Sequence, residues 1–131
     1  MTITAKIPTS SDIYLEVNGK KVAVVQSYQV TASRSAKLVR AFGQDEPVAT
    51  LRGAKEYQIE LSRIYATDTA IRDGIDFYTL EDFNLVICKP DRNIIYTGCQ
   101  WMKVQESAEV GGTVLEKVTV SASRRVESAV V

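Results

Sequence analysis

Histidine is absent from the chain, and with it go the usual general base near neutral pH, the imidazole-centred triads and the commonest transition-metal ligand. Most hydrolytic mechanisms are thereby excluded, and no enzymatic activity is expected. Cysteine is nearly absent too: Cys88 and Cys99 alone make neither a disulfide framework nor a four-thiolate zinc site. Charge of one sign is missing, since 16 Lys plus Arg balance 16 Asp plus Glu. No net positive field exists to hold a nucleic-acid backbone by counterion release. No apolar run approaches the roughly 20 residues that span a bilayer, so no membrane partner is expected. The opening MTITAKIPTSSD is polar and lacks a secretory apolar core; any export is expected to use another route, and the two cysteines read as buried reduced thiols of a cytosol-made protein.

Other chemistry is equally thin. Gly111-Gly112 sits between strand-like runs, and Gly43 and Gly53 are isolated without a following Lys-Ser or Lys-Thr, so no phosphate-cradling loop is formed and no cofactor is expected. Asp73, Asp76, Glu81 and Asp82 are the densest carboxylates, but their spacing does not reproduce a calcium loop and no metal site is assigned. Glu56 and Glu60 share a strand face with Gln58 between them, about 13 Å apart along the chain, too far for a glycosidase pair. Trp101, Tyr96 and Met102 suggest a stacking patch, although strand aromatics more often fill cores. Arg124-Arg125 is too short a basic run for nucleic acid.

What the sequence does contain is long runs of two-residue period. Ile13, Leu15 and Val17 alternate with Asp12, Tyr14 and Glu16, the pattern of a half-buried strand. Asn18-Gly19 supplies the two positive φ values of a type I′ hairpin turn. A second run, Val22 to Arg34, would extend roughly 40 Å, against a radius of gyration of roughly 14 Å for a compact domain of this size. It places Val22, Val24, Tyr28, Val30 and Ala32 on one face, interrupted by Gln26. The other face carries Ala23, Val25, Ser27, Gln29, Thr31 and Ser33. A further run from Glu56 to Tyr65 puts Tyr57, Ile59 and Leu61 inward and Glu56, Gln58, Glu60 and Ser62 outward.

Between these runs lie 21 residues, Ser35 to Lys55, with Lys37, Leu38, Val39, Arg40 and Phe42 ahead of the turn-rich Gly43-Gln44-Asp45-Glu46-Pro47, then Val48 and Leu51. Structureless connections of this length are rare in compact domains, so a projecting β arm or interface loop is expected. Further on, Thr67-Asp68 offers a helix N-cap, followed by an apolar stripe at Ala70, Ile71 and Ile75 and a stop at Gly74. Phe83 to Cys88 and Ile94 to Gln105 read as a hairpin; a two-residue turn at Asp91-Arg92 would set Cys88 opposite Ile95 and Cys99 opposite Asn84. Thr113 to Arg125 is the last strand, with Val114, Val118, Val120 and Ala122 on one face and Lys117, Thr119, Ser121 and Ser123 on the other. Residues 1–11 and 126–131 are expected to be mobile until bound. The reading is one mainly β domain over residues 1–131, an antiparallel sandwich or barrel with a short helix and a projecting arm over residues 35–55.

Taken in order, the Asn18-Gly19 hairpin, the very long second strand, the Ser35–Lys55 arm, Arg52-Gly53 leading into Glu56-Tyr57-Gln58-Ile59-Glu60-Leu61, the short helix and the final hairpin with its long last strand resemble the tail tube proteins of phages and of phage-tail-like bacteriocins. The likeness covers roughly residues 12 to 126. It implies a hexameric ring, stacked on identical rings, whose long strands join across subunits into one barrel around a lumen. On this likeness Ser27, Gln29, Thr31, Ser33, Glu56, Gln58, Glu60, Thr119, Ser121 and Ser123 line the lumen, and the arm clasps a neighbour. The implied partners are further copies of the chain, a surrounding sheath, and baseplate or terminator proteins. DNA is at most a non-specific cargo, and the place is a virion tail or tail-like particle assembled in a bacterial cytoplasm. Two rival readings stay open: a tube initiator or end-cap of the same particle, and a monomeric β-barrel that binds a small ligand.

Overall fold

The computed structural model describes residues 12–65 and 74–129. Asn18 and Gly19 adopt φ of 50° and 82°, so β1 (Tyr14–Val17) returns as β2 (Lys20–Lys21) with Val17 opposite Lys20, the expected I′ turn. The second run does not continue from there. Val24 takes φ of 55°, costly for a β-branched residue, and breaks the chain before β3 (Val25–Val39). The long strand therefore starts at Val25 rather than Val22, and it runs on past Arg34.

β4 (Ala49–Ile64) pairs antiparallel with β3 from Val25 opposite Arg63 to Val39 opposite Ala49. Gln26 is an extra residue in this ladder, a bulge that turns Val25 toward the core, where it packs. Strict alternation sets Val25 on the face of Ser27, Gln29 and Thr31; the bulge reverses its parity. The helix signals Thr67, Asp68, Ala70 and Ile71 lie outside the described residues. Beyond them Phe77–Thr79 forms a 3₁₀ turn capped by Asp76, whose carboxylate accepts from the Tyr78 amide at 3.1 Å. Arg63 clamps this segment to the sheet. Its guanidinium bonds Glu116 at 3.0 Å, donates to the Ile75 carbonyl at 2.6 Å and lies 4.9 Å from the centre of the Phe77 ring.

β5 (Phe83–Cys88) and β6 (Arg92–Ala108) form the next hairpin. Their register places Cys88 opposite Asn93 and Cys99 opposite Phe83, a correction to both expected pairings. The turn sits one residue earlier than expected: Lys89 N–H bonds the Arg92 carbonyl at 2.9 Å, leaving Pro90 and Asp91 between them. Both thiols are nonetheless free and buried, in keeping with the reading of the sequence. β6, with 17 residues, is the longest strand, longer than the run from Ile94 to Gln105 suggested.

The expected last strand is two strands. β7 (Val114–Ala122) pairs with β4 and with the second half of β6, and after Ser123 the chain crosses over as β8 (Arg124–Ala129) to pair with the first half of β6. Gly98 makes the crossover feasible: its φ is 63°, and an added Cβ would stand 2.0 Å from Ser123 Oγ. Residues 126–129, expected to be mobile, are thus laddered, and Arg92 bonds Glu127 across strands at 2.7 Å.

The strand order is β2-β1-β5-β6-β7-β4-β3. Because β6 serves both β5 and β7 with its two halves, the sheet doubles over on itself. The core lies between the layers: Ile59, Leu61, Val118 and Val120 from one, Leu15, Val17, Leu85, Ile87 and Tyr96 from the other. Burying such side chains contributes about 1.5–3 kcal/mol each, so the inward parity of these strands is strongly held.

The Cys99 thiol donates to the Tyr96 carbonyl at 3.3 Å, and burial pushes its pKa from 9.0 up to about 11. The native state therefore holds this proton more tightly than the unfolded chain. Its contribution to stability is complete below about pH 9 and is lost as the pH rises toward 11, a decline that Cys99→Ala should remove from denaturant midpoints measured across this range.

Candidate functional site

The outer face of the layer formed by β3, β4, β7 and the second half of β6 is built of polar side chains in cross-strand rows. Opposed residues in an antiparallel ladder point to the same face. One row runs Thr31, Gln58, Ser121, Gln100; the next Gln29, Glu60, Thr119, Lys103; the next Ser27, Ser62, Lys117, Gln105; Ser33 stands opposite Glu56. Nine of the ten residues assigned to a lumen from the sequence are gathered on this face. Ser123 departs from it: outside the β4–β7 ladder, its hydroxyl donates to the Thr97 carbonyl at 3.2 Å and sits 3.5 Å from that of Gly98.

Sequence reasoning missed the contribution of β6. Gln100, Lys103 and Gln105 complete the rows, but Met102 is an extra residue between Trp101 and Lys103, and this bulge breaks the two-residue count that would have exposed them. The expected patch of Tyr96, Trp101 and Met102 does not form. Tyr96 is in the core, Trp101 packs on it from the core side and lies 5.3 Å from the Tyr78 ring, and Met102 opens onto the polar face beside Gln58 and Ser121.

Charge on the face is compensated. Glu56 and Glu60 are matched by Lys103 and Lys117, with Thr119 between Glu60 and Lys103. Among the described residues no group of three or more His, Cys, Asp or Glu is placed to hold a metal ion. The face offers weak, exchangeable hydrogen bonding over a broad surface.

Its two edges are open. Among the described residues β3 pairs only with β4, and Gln100–Ala108 pair only with β7, so each edge carries a row of unpaired backbone groups. The four strands alternate in direction. An edge β6 and an edge β3 from separate copies would therefore meet antiparallel.

The arm is the distal end of the β3–β4 hairpin. Lys37 pairs with Leu51, Leu38 with Thr50 and Val39 with Ala49, and the tip spans residues 40–48. Ser35 opposes two residues, Gly53 and Ala54, at its base. Leu38, Phe42, Val48 and Leu51 are exposed, Phe42 completely at 108%, while Val39 is half-buried and Lys37 and Arg40 are exposed.

No protein-family model matches this chain, and no curated relative does. Solved structures do. A chain of the tube-terminating cap of the anti-feeding prophage aligns with a TM-score of 0.72 at 11% identity, covering 99% of this chain and 97% of that one. A chain of the sheath-tube complex of the PVC extracellular contractile injection system aligns at 0.69 and 15% identity, covering 95% and 93%. A chain in the tail of an empty gene transfer agent particle, determined with C6 symmetry, aligns at 0.68 and 10% identity, covering 95% and 100%.

Val120 is fully buried while Ser121 stands on the polar face. Ser121→Leu should leave the fold intact, as judged by circular dichroism and thermal melting. Val120→Glu buries an unpaired charge at a cost of several kcal/mol and should yield no folded subunit. Equal stability of the two variants would invert the assigned faces. The chain has the fold shared by these tube and cap components of tails and tail-like particles.

Proposed function

We propose that this chain is a non-enzymatic structural protein that polymerises into hexameric rings stacked as the inner tube of a phage tail or tail-like contractile particle. The observation that carries the reading is the four-stranded layer with a polar, charge-compensated face and an open edge on each side, in antiparallel phase. Joining β3 of one copy to β6 of the next satisfies both edges, and a head-to-tail contact of this kind closes into a ring. Six copies of four strands at about 4.8 Å spacing give a circumference of roughly 115 Å and a diameter of roughly 37 Å between backbones. The polar face then lines the lumen, where balanced and neutral side chains hold a passing cargo weakly, DNA included. The opposite face stays packed against β1, β5 and β8.

The arm supplies contacts between rings. Leu38, Phe42 and Leu51 gain little from the subunit's own core, and each contributes about 1.5–3 kcal/mol on full burial against a neighbour. A sheath and baseplate or terminator proteins are the further partners of such a tube, in a tail or tail-like particle assembled inside a bacterium. A second reading, an end-cap of the same particle, is favoured by the alignment with a tube-terminating cap. Negative-stain microscopy of concentrated protein separates the two: a tube protein forms long stacks, a cap forms single rings, and monomers throughout would refute both.

Two substitutions test the contacts. Replacing residues 37–51 by a short Gly-Ser linker should leave a folded subunit, since Ala36 and Arg52 still pair, and abolish tubes; normal tubes from this deletion would remove the arm from assembly. Gln29→Pro and Val30→Pro probe the β3 edge, because successive amides point to opposite sides of a strand. Proline is tolerated where the N–H faces outward. One variant should fold and stay monomeric in light scattering, whereas ring formation by every folded variant would exclude pairing along β3.

A further inference from the structure

We propose that a cationic cleft at the arm end of the subunit receives the acidic turn between β6 and β7 from the next copy along the axis, and that this contact sets the direction of stacking. The inference rests on the polymer reading above and names the surfaces that meet. The cleft, of about 670 Å³, opens between the two layers where the arm begins. Arg34, Lys55, Lys89 and Arg125 contribute to its walls together with Tyr57 and Tyr96, and no carboxylate is among its lining residues. Of the neighbouring acids, Asp91 bonds Arg92 at 3.0 Å, and Glu127 bonds Arg92 at 2.7 Å and pairs with Arg125 at 3.6 Å, which leaves Arg34, Lys55 and Lys89 as the cleft cations without an ion pair among the described residues. What remains is a concave surface of one sign with an aromatic floor, which calls for a convex, acidic occupant carrying some apolar surface.

The chain carries such a knob at its other end. From Tyr57, beside the cleft, to Ile64, opposite Leu115, β4 runs the length of the layer; Lys55 and Ile64 are separated by roughly 30 Å at strand rise. At that far end β6 stops at Ala108 and β7 starts at Val114. The turn between them is tightened by the Gly112 N–H on the Glu109 carbonyl at 2.9 Å. It presents Glu109 at the surface, with Glu106 exposed beside it at the end of β6 and Val110 exposed at 108%. Cleft and knob therefore lie at opposite ends of the strands with opposite charge. Two copies placed head to tail bring them together, whereas head to head sets cation on cation and tail to tail sets acid on acid. Repulsion in the wrong orientations is as much a part of the specificity as attraction in the right one.

The test is a charge swap read by negative-stain microscopy and sedimentation of tubes, with folding checked by circular dichroism. Glu106→Lys with Glu109→Lys, or Lys55→Glu with Lys89→Glu, should each raise the concentration needed for tubes at least tenfold while leaving rings, and the four changes in one chain should restore tubes. The milder Glu109→Gln and Lys55→Gln should move the threshold in the same direction should a reversal impair folding. Tubes of normal length from the folded Glu106 and Glu109 variant, or failure of the combined swap to rescue, would overturn the pairing. So would rescue of the cleft variant by Asp45→Lys with Glu46→Lys, which would identify the arm tip as the occupant. If the unaltered chain forms neither rings nor tubes, the polymer reading falls and takes this inference with it; if it forms tubes and only the swap logic fails, the polymer reading stands.

Discussion

β6 pairs with β5 and β8 through its first half and with β7 through its second, so one continuous backbone carries both layers of the fold. Everything else is arranged around the apolar faces this strand brings together. The turn-over is made locally, at Gly98, where a positive φ and the absence of a Cβ let Ser123 approach and bond the carbonyls beside it. Sending the chain across at the same point, from β7 to β8, ties the second layer to the first without a long connection. The Arg63 cluster performs a similar service at the other end, where a half-buried ion pair with Glu116 and a bond to the Ile75 carbonyl hold the 3₁₀ segment over the core.

The same constraint explains the polar layer. With the inner faces of β3, β4 and β7 committed to the core, their outer faces are free of packing demands and are filled by residues that neither aggregate nor attract strongly. Compensation of Glu56 and Glu60 by Lys103 and Lys117 leaves a surface with little field of its own. The open edges are then the unusual feature, since long exposed edge strands are normally shortened, covered or charged. Burial against another copy is the economical resolution, and the antiparallel phase of the four strands permits it.

Much of this was legible from local pattern. Asn18-Gly19, the parity of Tyr57 through Ser62 and that of Val118 through Ala122 follow from turn chemistry and strict alternation, which depend on neighbours in sequence. The departures sit where alternation is broken by a single inserted residue. Gln26 turns Val25 inward, and Met102 conceals the polar residues of β6. A bulge costs little locally and is recorded only in the partner strand's register, so counting along one strand cannot find it. The cysteine registers failed because the turn falls on Pro90-Asp91, one residue earlier than expected, and because a second irregularity lies between Phe83 and Leu85.

By itself the sequence determined which residues face a core and which face water wherever the alternation is unbroken, as in Tyr57–Ser62 and Val118–Ala122, because side-chain period and hydrophobicity are properties of one strand. It also determined the absence of histidine and the charge balance that narrow the chemistry. Only the tertiary structure decided that the last strand breaks at Ser123 and crosses to the other layer. It alone placed four cations in one cleft and an acidic turn at the far end, and left β3 and β6 as the open edges of a single sheet. Those outcomes depend on register between segments as far apart as Tyr14 and Cys88. Register is fixed by the simultaneous packing of all the strands on a shared core, a condition that no single segment carries.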